Sequence, residues 1–287
     1  KNKVNVNTGG GSSDLTGKAC SPNFVHWLYD TWMLAHGTGS AVVKAGGDSW
    51  FFLTADYAFG HALERDTSEV VKASGGKVLG GVKVPLGTSD FSSFLLQAQS
   101  SKAKVVGLAN AGADFTNSVK QAAEFGIVKG GQKMAGLLVF ITDVHGLGLQ
   151  TAQGLQLTET FYWDHDDGTR AWSKRFAAAN GGKYPSADHA GVYASVLHYL
   201  KAVDALQDDT DGKAIVAKMK AMPTDDILFG KGTIRADGRK LHPAYLFEVK
   251  KPSESKYPWD YYKLIQTIPA DQAFRPLNEG GCPLVKS

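Results

Sequence analysis

The fold is decided by residues 50–84, which read WFFLTADYAFGHALERDTSEVVKASGGKVLGGVKV. The apolar run Trp50–Thr54 is typical of a buried strand. The segment from about 60 to 74 carries apolar residues on one helical face, and the glycines at 75–76 end it. Residues 77–84 then predict a second strand. A strand, a helix and a strand of these lengths form a parallel βαβ unit with a right-handed crossover.

The same alternation extends over the rest of the chain. The predicted strands are Lys3–Val6, Val105–Leu108, Leu137–Ile141, Leu155–Phe161, Tyr245–Val249 and Tyr261–Ile265, and the predicted helices begin near Asp90 and Asp114 or surround Trp172, Tyr193 and Ile215. We therefore expect an α/β protein with doubly wound parallel sheets. The 287 residues predict about two domains.

The composition excludes several classes of protein. Hydrophobic residues make up 43% of the chain and charged residues 21%, which is typical of a globular protein rather than a disordered or fibrous one. The formal net charge of +3 is too small for a nucleic-acid-binding surface. No apolar run approaches the length of a membrane span, about 20 residues. The chain opens on Lys1 without a signal peptide, which indicates either a cytosolic protein or a removed leader.

The two cysteines, Cys20 and Cys282, lie near opposite ends of the chain. They are too far apart in sequence for a local metal knuckle or a redox Cys-x-x-Cys motif. We expect them to form a disulfide that closes a very long loop and stabilises the protein by about 4 kcal/mol, which implies an oxidising compartment. Two free cytosolic thiols are the alternative.

Motifs for catalysis and for cofactor binding are absent from the sequence. It contains no Gly-x-Ser-x-Gly nucleophile elbow, no P-loop and no Gly-x-Gly-x-x-Gly after a strand. The eight histidines show no zinc-ligand spacing, and the acidic run 164–167 lacks the spacing of a calcium loop. We predict no catalytic residue, no metal and no cofactor.

Small, polar and aromatic residues follow the predicted strands directly, and ligands bind at the carboxyl ends of the strands in open parallel sheets. The residues at these positions are Gly9, Gly10, Gly11 and Ser12, then Tyr57 and Phe59, then Asn110 and Ala111, then Thr142 and Asp143. They form a pocket without a nucleophile. The sequence therefore predicts a binding site rather than an active site.

The residue types indicate what such a pocket binds. Backbone N–H groups of the glycines at 9–11, with the Ser12 hydroxyl, suit an anion such as a carboxylate. Tyr57 and Phe59 provide an aromatic wall. Asp143 or Asp30 is placed to meet an ammonium or hydroxyl group of the same ligand.

Several segments, in this order over nearly the whole chain, resemble the periplasmic solute-binding proteins of ABC transporters for branched-chain amino acids and related compounds. The segments are Gly9–Thr16, Asp56–Gly60, Thr88–Ser92, Gln153–Leu155, Tyr184–Pro185 with Tyr193, and Phe229–Gly230 with Gly232. The resemblance implies the type I periplasmic binding fold, in which two α/β lobes joined by three crossing strands close on a ligand. It also implies a periplasmic location.

The resemblance further implies a division of the chain. Lobe one would hold residues 1–29 and 160–242, and lobe two would hold 30–159 and 243–265. The tail 266–287 would return across the hinge and bring Cys282 near Cys20. The chain resembles such a protein without its signal peptide and opening strands and helices, so we expect the first lobe to be incomplete, with an exposed sheet edge.

The matching positions imply roles for individual residues. The family's carboxylate-holding loop falls on residues 9–12, its aromatic wall on Phe59, a further pocket position on Ala111, and its polar position for a ligand amino group within Phe140–Asp143. Gly11, Phe59 and Ala111 stand where amino-acid binders of the family usually have a hydroxyl-bearing residue. Because His26, Tyr57 and Phe140 also lie near this pocket, an aromatic carboxylate is favoured over an aliphatic amino acid.

We therefore expect the substrate-binding component of an ABC importer, which captures a small carboxylate (an aromatic carboxylate or a branched-chain or aromatic amino acid) and delivers it to a permease. It would break no bond and would contact the membrane only through the permease. One alternative is an α/β hydrolase-type enzyme, which would need His26 beside Ser12 or Ser13 and oriented by Asp30. The other is the ligand-sensing core of a receptor or regulator.

Overall fold

The structure is a computed structural model that describes residues 2–285. Its strands are β1 (Asn5–Asn7), β2 (Phe24–His26), β3 (Ser49–Ala55), β4 (Lys77–Val84), β5 (Val105–Ala109), β6 (Lys133–Gly136), β7 (Gln156–Glu159), β8 (Thr224–Asp226), β9 (Gly230–Ile234), β10 (Lys240–Leu241), β11 (Ala244–Val249) and β12 (Tyr262–Ile268). Its α-helices are α1 (Thr31–Leu34), α2 (Ser40–Lys44), α3 (Ala58–Ala73), α4 (Ser92–Ser100), α5 (Gly112–Glu124), α6 (Ile141–Leu147), α7 (Leu149–Ala152), α8 (Asp167–Ala179), α9 (Ala187–Leu206), α10 (Gly212–Ala221) and α11 (Ala270–Ala273). Within the described residues, none of these helices has the length and apolar character that a membrane span requires.

The chain divides into two compact units. Unit 1 takes the described residues of Lys1–Asp30, Thr160–Ala244 and Ile268–Ser287. Unit 2 consists of Thr31–Glu159 and Tyr245–Thr267. Each unit is therefore assembled from segments that are distant in sequence.

Unit 2 contains a parallel sheet with the strand order β4-β3-β5-β6. Every residue of β5 is buried, and Trp50, Phe52 and Leu53 of β3 are fully buried. Helices cover both faces of such a sheet, which is why its central strands are apolar throughout. The predicted strands 50–54, 77–84 and 105–108 and the predicted helix 60–74 are confirmed within one to two residues.

The helix after β3 packs unusually close to the strand that precedes it. A Cβ atom on Gly60 would lie 2.0 Å from the carbonyl oxygen of Ala55, so only glycine fits at this position. The close packing sets where α3 begins. It thereby fixes the position of Tyr57 and Phe59 at the end of β3.

A helical stretch that the sequence analysis did not predict runs from Thr31 to Lys44 and contains a π-helical turn at Ala35–Gly39. The Thr38 hydroxyl lies 2.9 Å from the Thr158 hydroxyl of β7. A Cβ atom on Gly37 would lie 2.3 Å from the same Thr158 oxygen. The glycine therefore lets this helical stretch pack directly on β7.

The predicted strand Leu137–Ile141 is wrong. The strand is β6, which ends at Gly136, and Ile141 begins α6. Leu137, Leu138 and Val139 are buried in the connection between the two elements. A continuous apolar run shows that a segment is buried but not that it forms a strand.

In unit 1, β1 and β2 form a parallel pair, and β10, β9 and β8 form an antiparallel sheet. The first strand is Asn5–Asn7 rather than the predicted Lys3–Val6. The predicted strand Leu155–Phe161 is shorter in the structure. It is β7, which belongs to unit 2 and pairs antiparallel with β11. Both predictions located a strand correctly but misplaced its first and last residues.

The long helix α9 buries small residues and exposes large ones. Ala190 and Ala194 are among its buried residues. Tyr193, Val196 and Leu200 are 43–53% exposed. The apolar periodicity that predicted this helix therefore marks a face that unit 1 leaves open.

Candidate functional site

The carboxyl ends of three adjacent strands, β3, β5 and β6, meet at one edge of the sheet in unit 2. The predicted residues at this edge are Tyr57 and Phe59 after β3, Asn110 and Ala111 after β5, and Phe140, Thr142 and Asp143 after β6. The fold therefore brings the unit 2 part of the predicted site to one edge.

Tyr57 and Phe59 form an aromatic pair, with ring centroids 5.8 Å apart. Tyr57 is 40% exposed, whereas Phe59 is 7% exposed. Partial burial raises the pKa of Tyr57, and the nearby charge of Asp114 raises it further, so the phenol stays neutral and able to donate a hydrogen bond. The pair presents one amphipathic ring at the surface, backed by a buried one.

Asn110 is turned into its own unit rather than towards solvent. Its side chain is 1% exposed, and its Nδ2 lies 3.4 Å from the Ser118 hydroxyl of α5 and 3.5 Å from the Asp114 carbonyl. Its Oδ1 has no hydrogen-bond partner within the described residues. Ala111 precedes α5 and contributes only a methyl group.

The polar residues after β6 lie in the first turn of α6 rather than in a loop. The Phe140 backbone N–H donates to Asp143 Oδ2 at 2.9 Å, so the carboxylate caps its own helix. Burial raises the pKa of Asp143 to about 6, and the hydrogen bond from Phe140 opposes this rise. Thr142 is exposed. Asp143 is therefore a half-buried carboxyl group that changes charge near neutral pH.

The glycine loop after β1 is held by a residue that the sequence analysis did not single out. Asn7 accepts from the Gly10 N–H at 2.9 Å and donates to the Gly10 carbonyl at 2.6 Å. The Tyr29 hydroxyl donates to the Gly9 carbonyl at 3.1 Å. The Gly10 N–H therefore already has a hydrogen-bond acceptor in Asn7. The predicted contact of the glycine loop with an anion stays a prediction.

Beyond Gly10, the loop leads into a short 3-10 helix, Ser13–Thr16. Gly11 is buried, and the Ser12 hydroxyl accepts from the Asp14 N–H at 3.3 Å. Ser12 is therefore the N-cap of this turn.

His26 and Asp30 do not form a catalytic pair. His26 is 1% exposed, and burial, followed by the charge of Arg239, holds its pKa well below the usual range. Its Nδ1 has no hydrogen-bond partner among residues 2–285, and no hydrogen bond joins it to Ser12 or Ser13 there. Asp30 pairs with Arg239 at 3.3 Å, which removes the arrangement that the enzyme alternative required. The predicted contact of Asp30 with a ligand stays a prediction.

The sequence analysis also missed Arg239 and Lys240, two basic side chains that are fully buried in unit 1. No local pattern distinguishes them from exposed basic residues. Asn7, in contrast, carried a signal, because an asparagine ahead of glycines is typical of a side-chain-stabilised turn. Within the described residues, no group of His, Cys, Asp and Glu side chains is arranged to hold a metal ion.

Lys240 has an unusual environment for a lysine. Its Nζ lies 5.1 Å from the Trp27 ring centroid and 5.0 Å from that of Phe229, and it has no hydrogen-bond partner in the described part of the chain. Burial lowers the pKa of Lys240 to about 7, with the charge of Asp226 opposing the shift and that of Arg239 adding to it. The two rings offset part of the cost of burying the ammonium.

We expect Lys240→Met to remove part of the pH dependence of stability. Between pH 7 and its ordinary pKa, Lys240 is protonated in the unfolded chain but mostly neutral in the folded one, so stability rises with pH. From pH 7 to about pH 9 the wild-type free energy of unfolding should rise by about 2 kcal/mol more than that of the variant. Urea unfolding at both pH values measures this difference. Parallel curves for the two proteins would contradict it.

The predicted disulfide between Cys20 and Cys282 is confirmed. The two Cα atoms lie 5.7 Å apart, within the usual range for bridged cysteines. Both residues belong to unit 1, so the bridge ties the end of the described chain to the region of the glycine loop.

Comparison with known proteins agrees with this architecture. The sequence model of a family described as "Periplasmic binding protein" matches residues 1–256. The chain belongs to this family. Because the family consists of binding proteins, the predictions of a periplasmic location and of a protein that is not an enzyme are confirmed.

Solved structures show the same fold. A periplasmic binding protein from Burkholderia mallei is 57% identical, with a TM-score of 0.96, over 99% of this chain and 75% of that one. A branched chain amino acid ABC transporter periplasmic ligand-binding protein from Burkholderia xenovorans LB400 is 36% identical, with a TM-score of 0.84, over 98% and 75%. A solute binding protein from R. palustris, in complex with benzoate, is 20% identical, with a TM-score of 0.80, over 97% and 73%.

These neighbours confirm the predicted type I periplasmic binding fold. The chain spans 64% of the length of curated relatives from Brucella abortus, Leu/Ile/Val-binding protein homologues that are 24% identical over 86% of this chain. The expectation that the first lobe lacks its opening elements stays a prediction.

Proposed function

We propose that this protein is the ligand-binding component of an ABC importer, which captures a small carboxylate and delivers it to a membrane permease. Its family and the named transporter proteins among its structural neighbours support this function. It uses no cofactor, and it contacts the membrane only through the permease. The closure of two lobes on the ligand stays a prediction.

Within this function, an aromatic carboxylate is the favoured ligand. The observation that carries this choice is the aromatic pair Tyr57–Phe59, next to the bare methyl group of Ala111 at the adjoining strand end. An aromatic ring stacks on such a wall, and the missing hydroxyl groups leave little to bind the polar side of an amino acid. The benzoate complex of the R. palustris protein shows that this fold accommodates such a ligand.

A branched-chain or aromatic amino acid is the second candidate. The 36% identical Burkholderia xenovorans protein favours it, because that protein is named a branched chain amino acid ABC transporter periplasmic ligand-binding protein. Asp143 separates the two candidates, because an ionised carboxylate attracts the ammonium of an amino acid and repels the carboxylate of an aromatic acid. Since the pKa of Asp143 is about 6, its charge is set by pH in an accessible range.

We expect benzoate to bind about tenfold more weakly at about pH 7.5 than at about pH 5, because Asp143 ionises between these values. Leucine should bind more tightly over the same change if it is the ligand. Isothermal titration calorimetry with both ligands at both pH values measures this. In Asp143→Asn, the pH dependence should disappear while benzoate still binds.

The proposed role of the aromatic wall is tested with one variant in the wall and one control variant outside it. Phe59→Ala should weaken benzoate binding, whereas Phe125→Ala, which removes a 38% exposed ring elsewhere in unit 2, should leave it unchanged. Benzoate binding that is equal in both variants would contradict the proposed wall. If neither benzoates nor amino acids bind to the wild-type protein, the proposed ligand class is wrong.

A further inference from the structure

Unit 2 contains a cavity of about 740 Å³. Its lining comes from α2, α5, β6, α7, β7 and β11 and from the connections that follow α2, α5 and α7. All of the lining residues belong to unit 2, so the cavity is complete within one unit. Its volume lies in the range of known small-molecule sites, about 300–1,000 Å³.

This cavity lies away from the predicted carboxylate site. Lys133 and Gln156, which line it, are the first residues of β6 and β7. The predicted site follows the other end of β6, at Phe140 and Asp143. The cavity is therefore beside the amino ends of these strands, and none of its lining residues belongs to the predicted site.

The inner wall of the cavity is apolar. Val42 of α2, Val119 and Ala122 of α5, and Leu155 ahead of β7 are buried residues that line it, and Met134 of β6 is half-buried there. Such a wall favours an alkyl or aryl group, because apolar surface is removed from water on binding.

The outer lining carries charge. Lys129 and Lys133 are exposed, and Glu248 is half-buried. The Lys133 ammonium donates to the Ala45 carbonyl at 3.5 Å, and within residues 2–285 neither lysine forms an ion pair. Two ammonium groups against one carboxylate favour an anion at the mouth of the cavity.

We propose that this cavity binds an amphipathic anion, with an unbranched apolar tail against Val42, Val119 and Leu155 and a singly charged head group at Lys129 and Lys133. A medium-chain alkyl carboxylate such as decanoate has this chemistry. The ammonium groups act as point charges, so they recognise the head by its charge rather than by a fixed geometry. This site is independent of the proposed function.

The experiment is a calorimetric titration of the purified chain with decanoate, 1-decanol and decyltrimethylammonium. The two ions are used below the concentrations at which they form micelles, and decanol is used below its solubility limit. Decanoate should bind most tightly. In Lys129→Gln with Lys133→Gln, its affinity should fall at least about tenfold, while that of decanol changes less than about twofold. Glu248→Gln should tighten decanoate binding. Lys120→Gln is the charge control, because Lys120 is exposed on α5 and does not line the cavity.

A second variant tests whether decanoate binds in this cavity, and it changes no charged residue. Ala123 is exposed on α5 and lines the cavity, so Ala123→Phe should fill it and abolish decanoate binding. Ala73→Phe, at the exposed end of α3, adds the same bulk elsewhere and should have no effect. Wild-type protein that does not bind decanoate, or equal binding by Ala123→Phe and Ala73→Phe, would overturn the proposal. So would equal losses of decanoate and decanol affinity in the double lysine variant.

Discussion

Replacing Cys20 and Cys282 together by serine is expected to lower the free energy of unfolding by about 4 kcal/mol. The bridge joins residues 262 positions apart, so it removes much of the conformational freedom of the unfolded chain. The folded chain retains other links between the same regions, because Arg275 Nη2 donates to the Ser13 carbonyl at 2.8 Å. The loss should therefore arise mainly in the unfolded state. Urea unfolding followed by tryptophan fluorescence measures it.

Reduction of the wild-type protein is the matched control for the serine variant. It should lower the urea midpoint as much as the double substitution does, and the same reductant should leave the variant unchanged. A double variant within about 1 kcal/mol of the oxidised wild-type protein would show that the long loop contributes little to stability.

The elements predicted most accurately from the sequence are those whose neighbours in space are also neighbours in sequence. The βαβ unit over residues 50–84 combines local periodicity with a glycine stop, and both signals lie within one short stretch. The strand predicted over Leu137–Ile141 was wrong, because these residues are apolar as a result of their burial and not because they form a strand. Whether such a run is a strand depends on its pairing with β5, which no local pattern encodes. In the structure this pairing ends at Gly136, the last residue of β6.

The same distinction applies to the candidate site. Strand ends predicted that Tyr57, Ala111 and Thr142 share one edge, because parallel strands align their carboxyl ends. The sequence could not predict which polar groups of the site remain available to a ligand and which are already paired within the protein. The side chain of Asn7 accepts a hydrogen bond from the Gly10 N–H, three residues away in sequence. The guanidinium of Arg239 donates to the Asp30 carboxylate, 209 residues away. Contacts of the second kind exist only once unit 1 has folded.

Asp30→Asn is expected to destabilise the protein by about 3–5 kcal/mol, because it leaves the buried Arg239 guanidinium without its charge partner. Arg239 Nη1 donates to Asp30 at 3.3 Å and its Nε to the Lys240 carbonyl at 3.1 Å, while Nη2 donates to the Leu28 carbonyl. Burial lowers the pKa of Arg239 to about 10, and Asp30 is the largest influence opposing this shift. The guanidinium therefore stays charged at neutral pH, and an amide at position 30 cannot balance it. Urea unfolding at pH 7 measures the loss.

Asp48→Asn is the matched control, because it removes the same charge from an ion pair with Lys104 whose two side chains are 53% and 58% exposed. Exposed pairs contribute little, so its unfolding curve should overlay that of the wild-type protein. Combining Asp30→Asn with Arg239→Met should recover much of the lost stability, because the methionine removes the unbalanced charge and still packs against Phe274, whose ring centroid lies 4.4 Å from the guanidinium carbon. If the single variant Asp30→Asn is as stable as Asp48→Asn, the carboxylate of Asp30 does not stabilise the buried guanidinium. In that case the backbone carbonyls of Leu28 and Lys240 are sufficient to hold Arg239.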